Sequence, residues 1–121
     1  MFKEALQGMI DRLDEDVIGS VIMDTEGIAL EKVGLVTDDP TLDSETLGME
    51  YTVILKSVKK TASMVDAGTV NEVLVRNEKF TTLLRIVNED YFVALFLKPG
   101  GNVGKGRFLL RAAAANLIKE L

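Results

Sequence analysis

The chain ends in a glycine-rich stretch with a lysine, LKPGGNVGKGRFLLRAAAANLIKEL, that invites comparison with a phosphate-binding loop. Such a loop reads G-x-x-x-x-G-K-[ST]; its backbone N–H groups surround phosphates and its hydroxyl binds magnesium. When Gly104 and Lys105 are aligned with this motif, Pro99 takes the place of the first glycine and Gly106 the place of the hydroxyl residue. Proline has no N–H and glycine has no hydroxyl, so we expect neither nucleotide binding nor nucleotide hydrolysis.

A simpler anion site at the same helix start stays open as an alternative. The N-terminus of a helix attracts anions through its unpaired N–H groups. The candidate residues for such a site are Gly101, Asn102, Gly104, Lys105 and Arg107. The other interpretation is that these glycines only turn the chain from a strand into the last helix, and the sequence favours it.

The remaining residue types argue against catalysis. The chain contains no cysteine and no histidine, so thiolate ligands, the commonest general base and the commonest transition-metal ligand are all missing. Its serines have no base at a recognisable spacing. We therefore expect a protein that is not an enzyme and that has no catalytic, cofactor-binding or metal-binding residues.

Composition predicts one globular domain over residues 1–121, since 47% of the residues are hydrophobic. Residues 1–55 carry 3 basic and 13 acidic side chains, whereas residues 56–121 carry 11 and 6. A net charge of −5 argues against nucleic acid as a general partner. The absence of a long apolar run argues against membrane insertion, and the acidic N-terminus is unlike a secretory signal. These features predict a cytoplasmic protein.

Hydrophobic periodicity predicts the elements that would carry any site. Apolar residues at helical spacing indicate a first helix over Phe2–Leu13, and two strands follow around the turn Asp24–Gly27. The first of these strands, Val17–Met23, is apolar on both faces and should be interior. An acidic loop around Pro40 then leads to a helix that Asp43 or Ser44 can cap.

The long middle helix is predicted from Glu45 to Asp66 and has more apolar surface than one packing face requires. Three strands should follow it, at Val70–Arg76, Phe80–Val87 and Tyr91–Leu97, with tight turns at the intervening asparagines. The first of the three has the pattern of an edge strand and the last that of an interior strand. The final helix should begin near Asn102–Gly104 and pack closely onto the sheet.

The element order α-β-β-α-β-β-β-α predicts an α+β fold. Two interior strands that are apolar on both faces need cover on both sides. We expect the long middle helix on one face and the two terminal helices on the other.

The sequence resembles roadblock-type domains, the family of the roadblock dynein light chains and of prokaryotic regulators of Ras-like GTPases. The resemblance rests on GSVIMDTEGIAL (Gly19–Leu30), on the length and order of the elements, and on the closing GKGRFLLRAAAANLIKEL. It implies a five-stranded antiparallel sheet between helices, in the profilin-like architecture. Profilin-like and longin-like domains share much of this topology.

The resemblance also implies function. Roadblock-type domains dimerise through the long helix and the neighbouring edge strand, and they bind or regulate small GTPases or serve as dimeric platforms. This chain is therefore expected to be a homodimer that regulates or binds a Ras-like small GTPase. A dimeric scaffold or adaptor without effect on GTP hydrolysis is the alternative, and a small-anion sensor is a weaker one.

The excess apolar surface of the middle helix and the unpaired strand beside it lead to the same dimer. The predicted interface consists of Tyr51, Ile54, Leu55, Val58, Ala62, Val73, Leu74 and Val75. The candidate GTPase-facing residues are Met49, Val53, Lys56, Lys59 and Lys60.

Overall fold

The computed structural model of the protein describes residues 2–34 and 43–121. The helices within these residues are α1 (Phe2–Leu13), α2 (Ser44–Met64) and α3 (Val103–Leu117), with short 3-10 turns at Asp14–Asp16 and Ile118–Glu120. The strands are β1 (Val17–Asp24), β2 (Ala29–Gly34), β3 (Glu72–Arg76), β4 (Thr81–Ile86) and β5 (Tyr91–Leu97). The predicted element order and the α+β class are confirmed.

The strands form one antiparallel sheet in the order β2-β1-β5-β4-β3. β5 lies at the centre and β1 beside it, so the two strands that are apolar on both faces are interior, as predicted. β2 and β3 are the edges of the sheet. The expectation that the strand after the long helix is an edge strand is also confirmed.

α1 and α3 cover one face of the sheet, where their apolar side chains pack against Ile22, Leu83 and Leu95. α3 comes close to the strands at Gly106, because a Cβ on that glycine would lie 3.2 Å from the Cδ1 atoms of both Leu83 and Leu97. A larger residue would push the helix away from the sheet. Gly106 therefore sets the distance between α3 and the strands.

α2 covers the opposite face. Its Tyr51 and Leu55 are buried against β4 and β5, together with Phe92 and Phe96. Near its N-terminal end Gly48 faces Met23 of β1, and the end of that methionine side chain occupies the space that a Cβ on Gly48 would need. The helix and sheet thus pack without a gap at this point.

Side chains hold the turns between the strands. Asp24 Oδ1 accepts hydrogen bonds from the backbone N–H groups of Glu26 and Ile28, each at 2.9 Å. Asn77 and Asn88 make turns of the same kind, because each Oδ1 accepts two backbone N–H groups. These are the three turns that the sequence indicates, and the residue types explain them.

α2 ends at Met64, two residues before the predicted end at Asp66. Asp66 has a φ of +53°. Its N–H donates to the Ser63 carbonyl at 3.2 Å, and the next N–H, of Ala67, donates to the Ala62 carbonyl at 2.8 Å. This is the Schellman arrangement. Here Asp66 takes the left-handed position that glycine usually occupies, so the helix stops before it.

The strand boundaries also differ from the prediction by one or two residues. β3 begins at Glu72 rather than Val70, and β4 covers Thr81–Ile86 rather than Phe80–Val87. The N–H groups of Phe80 and Val87 belong to the turns, where they donate to Asn77 Oδ1 and to the Tyr91 carbonyl. β1 extends one residue further than predicted, to Asp24.

The acidic loop around Pro40 lies outside the described residues. α2 begins directly after Asp43, whose carboxylate accepts a hydrogen bond from the Thr46 hydroxyl at 2.7 Å. Among the described residues, no helix has both the length and the apolar composition required to cross a membrane.

Candidate functional site on the long helix

The glycine-rich entry into α3 is occupied by the protein's own groups. Asn102 caps the helix, because its Oδ1 accepts the Lys105 N–H at 3.0 Å. The Asp16 carboxylate accepts the Asn102 N–H at 3.2 Å. Arg107 forms an ion pair with Glu72 of β3. Three donors of the candidate anion site therefore already have partners, and the carboxylate of Asp16 repels a further anion.

The glycines around this entry have structural reasons to be there. Gly100 adopts a φ of +79°, which turns the chain after β5. A Cβ on Gly101 would lie 3.0 Å from the Lys98 carbonyl oxygen, and Gly106 lets α3 approach the sheet. The position that a phosphate-binding loop gives to a hydroxyl residue is thus a packing contact in this fold.

No metal site accompanies these residues. Within 2–34 and 43–121, no group of three or more carboxylate, cysteine or histidine side chains is arranged to hold a metal ion.

The other candidate residues lie on α2 and β3, and the structure divides them into three groups. Tyr51 and Leu55 are turned towards the sheet and are only 6% and 3% exposed. These two predicted interface residues are part of the protein's own core. Residues at i+3 and i+4 share a helix face, and both side chains follow that spacing from Gly48.

The flank of α2 that faces β4 and β3 carries Ile54 and Val58. These follow Leu47 and Tyr51 at helical spacing, and the Tyr51 hydroxyl is hydrogen-bonded to Thr82 of β4, which fixes the direction of this flank. Ile54 is exposed and Val58 and Ala62 are half-buried. The apolar flank continues past the end of the helix to Val65, which is 68% exposed.

β3 lies beside this flank and pairs only with β4 among the described strands. Val73 and Val75 point to the α2 face and pack partly against its core. Leu74 points to the other face, opposite Leu83, and is exposed. The predicted interface residues of β3 therefore contribute to both faces of one open edge.

The second flank of α2 carries Met49, Val53, Lys56 and Lys60, which are spaced as i, i+4, i+7 and i+11. All four side chains are exposed, with Met49 57% and Val53 60% accessible. The structure thus brings together four of the five residues that were grouped as GTPase-facing. We call these four residues the Met49 flank.

Lys59 differs from its two neighbouring lysines. It is half-buried and lines an open cleft of about 590 Å³ between the C-terminal end of α2 and the β4–β5 turn. Its position on the sheet side of the helix separates it from the Met49 flank. The sequence grouped all three lysines because they are close together along the chain. Lys59 is turned by about 100° from Lys60 and by about 60° from Lys56 around the helix, and both turns bring it nearer to the sheet.

The structure also exposes two apolar side chains of this region that the sequence assigned to no site. Met64 and Val65 at the end of α2 are 76% and 68% exposed. The sequence did contain an indication of them, since both are large apolar residues at the C-terminal end of the apolar stripe of α2.

Comparison with solved structures shows close similarity over nearly the whole chain. MglC from Myxococcus xanthus is 32% identical, with 99% of this chain and 98% of that chain covered and a TM-score of 0.68. A roadblock/LC7 domain from Streptomyces avermitilis is 12% identical, with 94% and 92% covered and a TM-score of 0.81. An MglB structure with tetrameric arrangement is 16% identical, with 98% and 85% covered and a TM-score of 0.83. No known family model and no curated protein sequence matches the chain.

The sheet order and the placement of the helices define a roadblock-type α+β domain. The chain belongs to the roadblock/LC7 family.

Proposed function

We propose that this protein is a non-enzymatic homodimer that binds and regulates a Ras-like small GTPase in the cytoplasm. The observation that carries the proposal is the Met49 flank, where exposed apolar and basic side chains form a continuous stripe on α2, on the side of the helix away from β3. Membership of the roadblock/LC7 family supports it further.

Self-association is supported by the other flank of α2 and by β3. Ile54 and Val65 are exposed apolar side chains next to a strand whose outer N–H and C=O groups have no neighbouring strand in the described chain. An apolar helix flank beside an unpaired edge is a favourable surface for pairing with a second copy. The tetrameric arrangement of the MglB structure, whose fold is similar, gives general support to self-association.

A dimer joined along this flank would place two Met49 flanks on one surface of the assembly. Methionine and valine can adapt to an apolar patch of a partner, while Lys56 and Lys60 can attract its acidic groups. Such a mixed surface is suited to a transient complex rather than a permanent one. The lysines should affect the association rate and its salt dependence more than the final affinity.

No catalytic group needs to come from this chain. Small GTPases hydrolyse GTP with their own magnesium ion and water-positioning residue, and a regulator can act by holding these groups in place. The chain has no histidine or cysteine to supply acid–base or nucleophilic chemistry. Its contribution would be surface complementarity.

A scaffold without effect on hydrolysis is the second candidate function, and the same two flanks support it. A dimer with an exposed apolar and basic surface can join other proteins whether or not one of them is a GTPase. The small-anion sensor has less support, since Asn102 and Asp16 occupy the helix start.

The test is a binding and hydrolysis experiment with a Ras-like GTPase encoded beside this protein. We expect the wild-type dimer to bind the GTP-loaded form, and Lys56→Glu/Lys60→Glu to slow association and remove most of its salt dependence. Lys3→Glu/Arg12→Glu in α1 also reverses two exposed charges, but on the opposite face of the sheet, and should leave binding unchanged. Binding without any change in hydrolysis would favour the scaffold. No binding to either nucleotide form would contradict the GTPase proposal.

A further inference from the structure

The outer face of α3 has a composition that the packing of the fold does not explain. The inner face of this helix is complete, since the buried residues are Gly106, Leu109, Leu110, Ala113, Ala114 and Leu117. Phe108 points the other way and is 62% exposed. An exposed phenylalanine contributes nothing to the core and lowers helix propensity relative to the alanines that occupy similar positions further along α3.

The surroundings of Phe108 are basic. From Val103 to Lys119 the sequence contains no acidic residue. Arg107 is paired with Glu72, but within the part of the chain that the structure describes no carboxylate pairs with Lys105, Arg111 or Lys119. These three cations lie on a protein whose net charge is −5. The outer face of α3 is thus locally opposite in sign to the whole molecule.

Small side chains also lie next to Phe108 on this face. Gly104, Ala112 and Ala115 lie at i−4, i+4 and i+7 from Phe108, and all three are exposed. Lys105 and Arg111 lie on either side at i−3 and i+3, so a partner that reaches the phenylalanine ring also meets these two cations. The inner face holds the helix firmly on the sheet through Gly106, so this surface needs no rearrangement before binding.

We propose that the outer face of α3 is a docking surface for an acidic amphipathic segment of another protein. Phe108 would be covered by the apolar side chains of the segment, and Lys105, Arg111 and Lys119 would pair with its carboxylates. Aromatic residues surrounded by charged ones commonly supply most of the energy of such contacts. Charge complementarity selects an acidic protein partner.

Lipid and nucleic acid fit the surface less well. Both present many negative charges over a wide area, and a molecule with a net charge of −5 is repelled from such areas as a whole. A short acidic segment contacts only the local cations and a single aromatic side chain. The surface lies on the face of the sheet opposite to α2, so it is separate from both flanks used in the proposed function.

The probe is a fluorescein-labelled amphipathic peptide of Glu, Ala and Leu, and binding is followed by fluorescence anisotropy. We expect saturable binding that weakens with salt, and about tenfold or greater loss of affinity for Phe108→Ala. Lys105→Glu/Arg111→Glu should weaken binding by a similar factor. The matched control is Ile28→Ala, which removes another apolar side chain that is 62% exposed but lies on the β1–β2 turn.

Three further measurements make the outcome decisive. Thermal unfolding should show that every variant folds like the wild type. A peptide with Lys in place of Glu should not bind. Equal affinity for Phe108→Ala and the wild type, or no binding of the acidic peptide at millimolar concentration, would overturn the proposal. It would also be overturned if phosphatidylcholine–phosphatidylglycerol vesicles or oligothymidylate bound more tightly than the peptide and depended on Phe108.

Discussion

The phenolic oxygen of Tyr51 in α2 lies 2.9 Å from the hydroxyl oxygen of Thr82 in β4, and both side chains are buried. This hydrogen bond is a polar link between the long helix and the sheet within an otherwise apolar layer. Because the layer excludes water, each hydroxyl depends on the other for a partner. The bond therefore fixes how α2 is rotated on the sheet, and with it which side chains its two flanks present.

Removing one partner of this bond should destabilise the fold. We expect Tyr51→Phe to lower the free energy of unfolding by about 1–2 kcal/mol, because it leaves the Thr82 hydroxyl buried without its partner. The double variant Tyr51→Phe/Thr82→Val should lose less than the two single variants together. Urea unfolding of the wild type, Tyr51→Phe, Thr82→Val and the double variant measures these free energies. A Tyr51→Phe protein as stable as the wild type would show that the hydrogen bond does not anchor α2.

Two glycines inside helices should respond to alanine in opposite directions. Gly8 in α1 has no atom within 4 Å of a Cβ built on it, so Gly8→Ala should stabilise the protein by about 0.5–1 kcal/mol through helix propensity. Gly48 in α2 faces the end of Met23, which is 0% exposed and has no solvent to move into. Gly48→Ala should therefore destabilise by about 1–3 kcal/mol. Thermal unfolding distinguishes the two signs, and a stabilising Gly48→Ala would contradict the packing described for Met23.

A charge on the β3-facing flank of α2 should dissociate the proposed homodimer. Light scattering of the wild type at micromolar concentration should give twice the 13.3 kDa mass of one chain. Ile54→Glu should give the mass of one chain, since burying the introduced carboxylate at an interface without a partner is unfavourable. Ile28→Glu changes a more exposed isoleucine on the β1–β2 turn, which is outside the predicted interface of α2 and β3, and should leave the dimer intact. A monomeric wild type would refute the dimer itself.

Asn102, which caps α3, should contribute more to the stability of the protein than Asn116, which lies within that helix. Asn102→Ala removes the acceptor of the Lys105 N–H and should cost about 1 kcal/mol of stability. Asn116 is an exposed residue near the other end of α3, and Asn116→Ala should be neutral or slightly stabilising. Urea unfolding compares the two. Equal effects would mean that Asn102 does not cap the helix.

Nucleotide should not bind at the glycine-rich entry of α3. Calorimetry with ATP or GTP, each with magnesium, should give no binding heat, because Pro99 and Gly106 do not supply the groups that phosphate and magnesium require. Inorganic phosphate should behave in the same way while Asp16 is present. Asp16→Asn removes the nearby negative charge, so phosphate binding at this entry would be easier to detect in this variant than in the wild type. A micromolar dissociation constant for either nucleotide with the wild type would contradict this interpretation.

Local patterns in the sequence were sufficient to predict most elements. The apolar spacing from Phe2 to Leu13 predicted α1 with its correct ends, and the apolar run Tyr91–Leu97 predicted β5. Asp24, Asn77 and Asn88 indicated the turns because each can accept nearby backbone N–H groups. In these cases the physical cause is local, so neighbouring residues contain the information.

The end of α2 and the ends of β3 and β4 needed the structure. Asp66 takes the left-handed position that ends the helix, although Gly68 two residues later is the residue type that usually does so. The N–H groups of Phe80 and Val87 could join a strand or a turn. Which alternative is adopted depends on the surrounding packing, which a local pattern does not contain.

Which side chains remain exposed was decided only by the tertiary structure. The sequence by itself determined that α2 has more apolar surface than one face requires, and that α3 is rich in apolar and small residues. It did not separate Tyr51 and Leu55, which enter the core, from Ile54, which does not. Nor did it show that Phe108 points away from the sheet. Exposure depends on how each helix is rotated against the strands, and that rotation is fixed by distant contacts such as Tyr51 with Thr82 and Gly106 with Leu83.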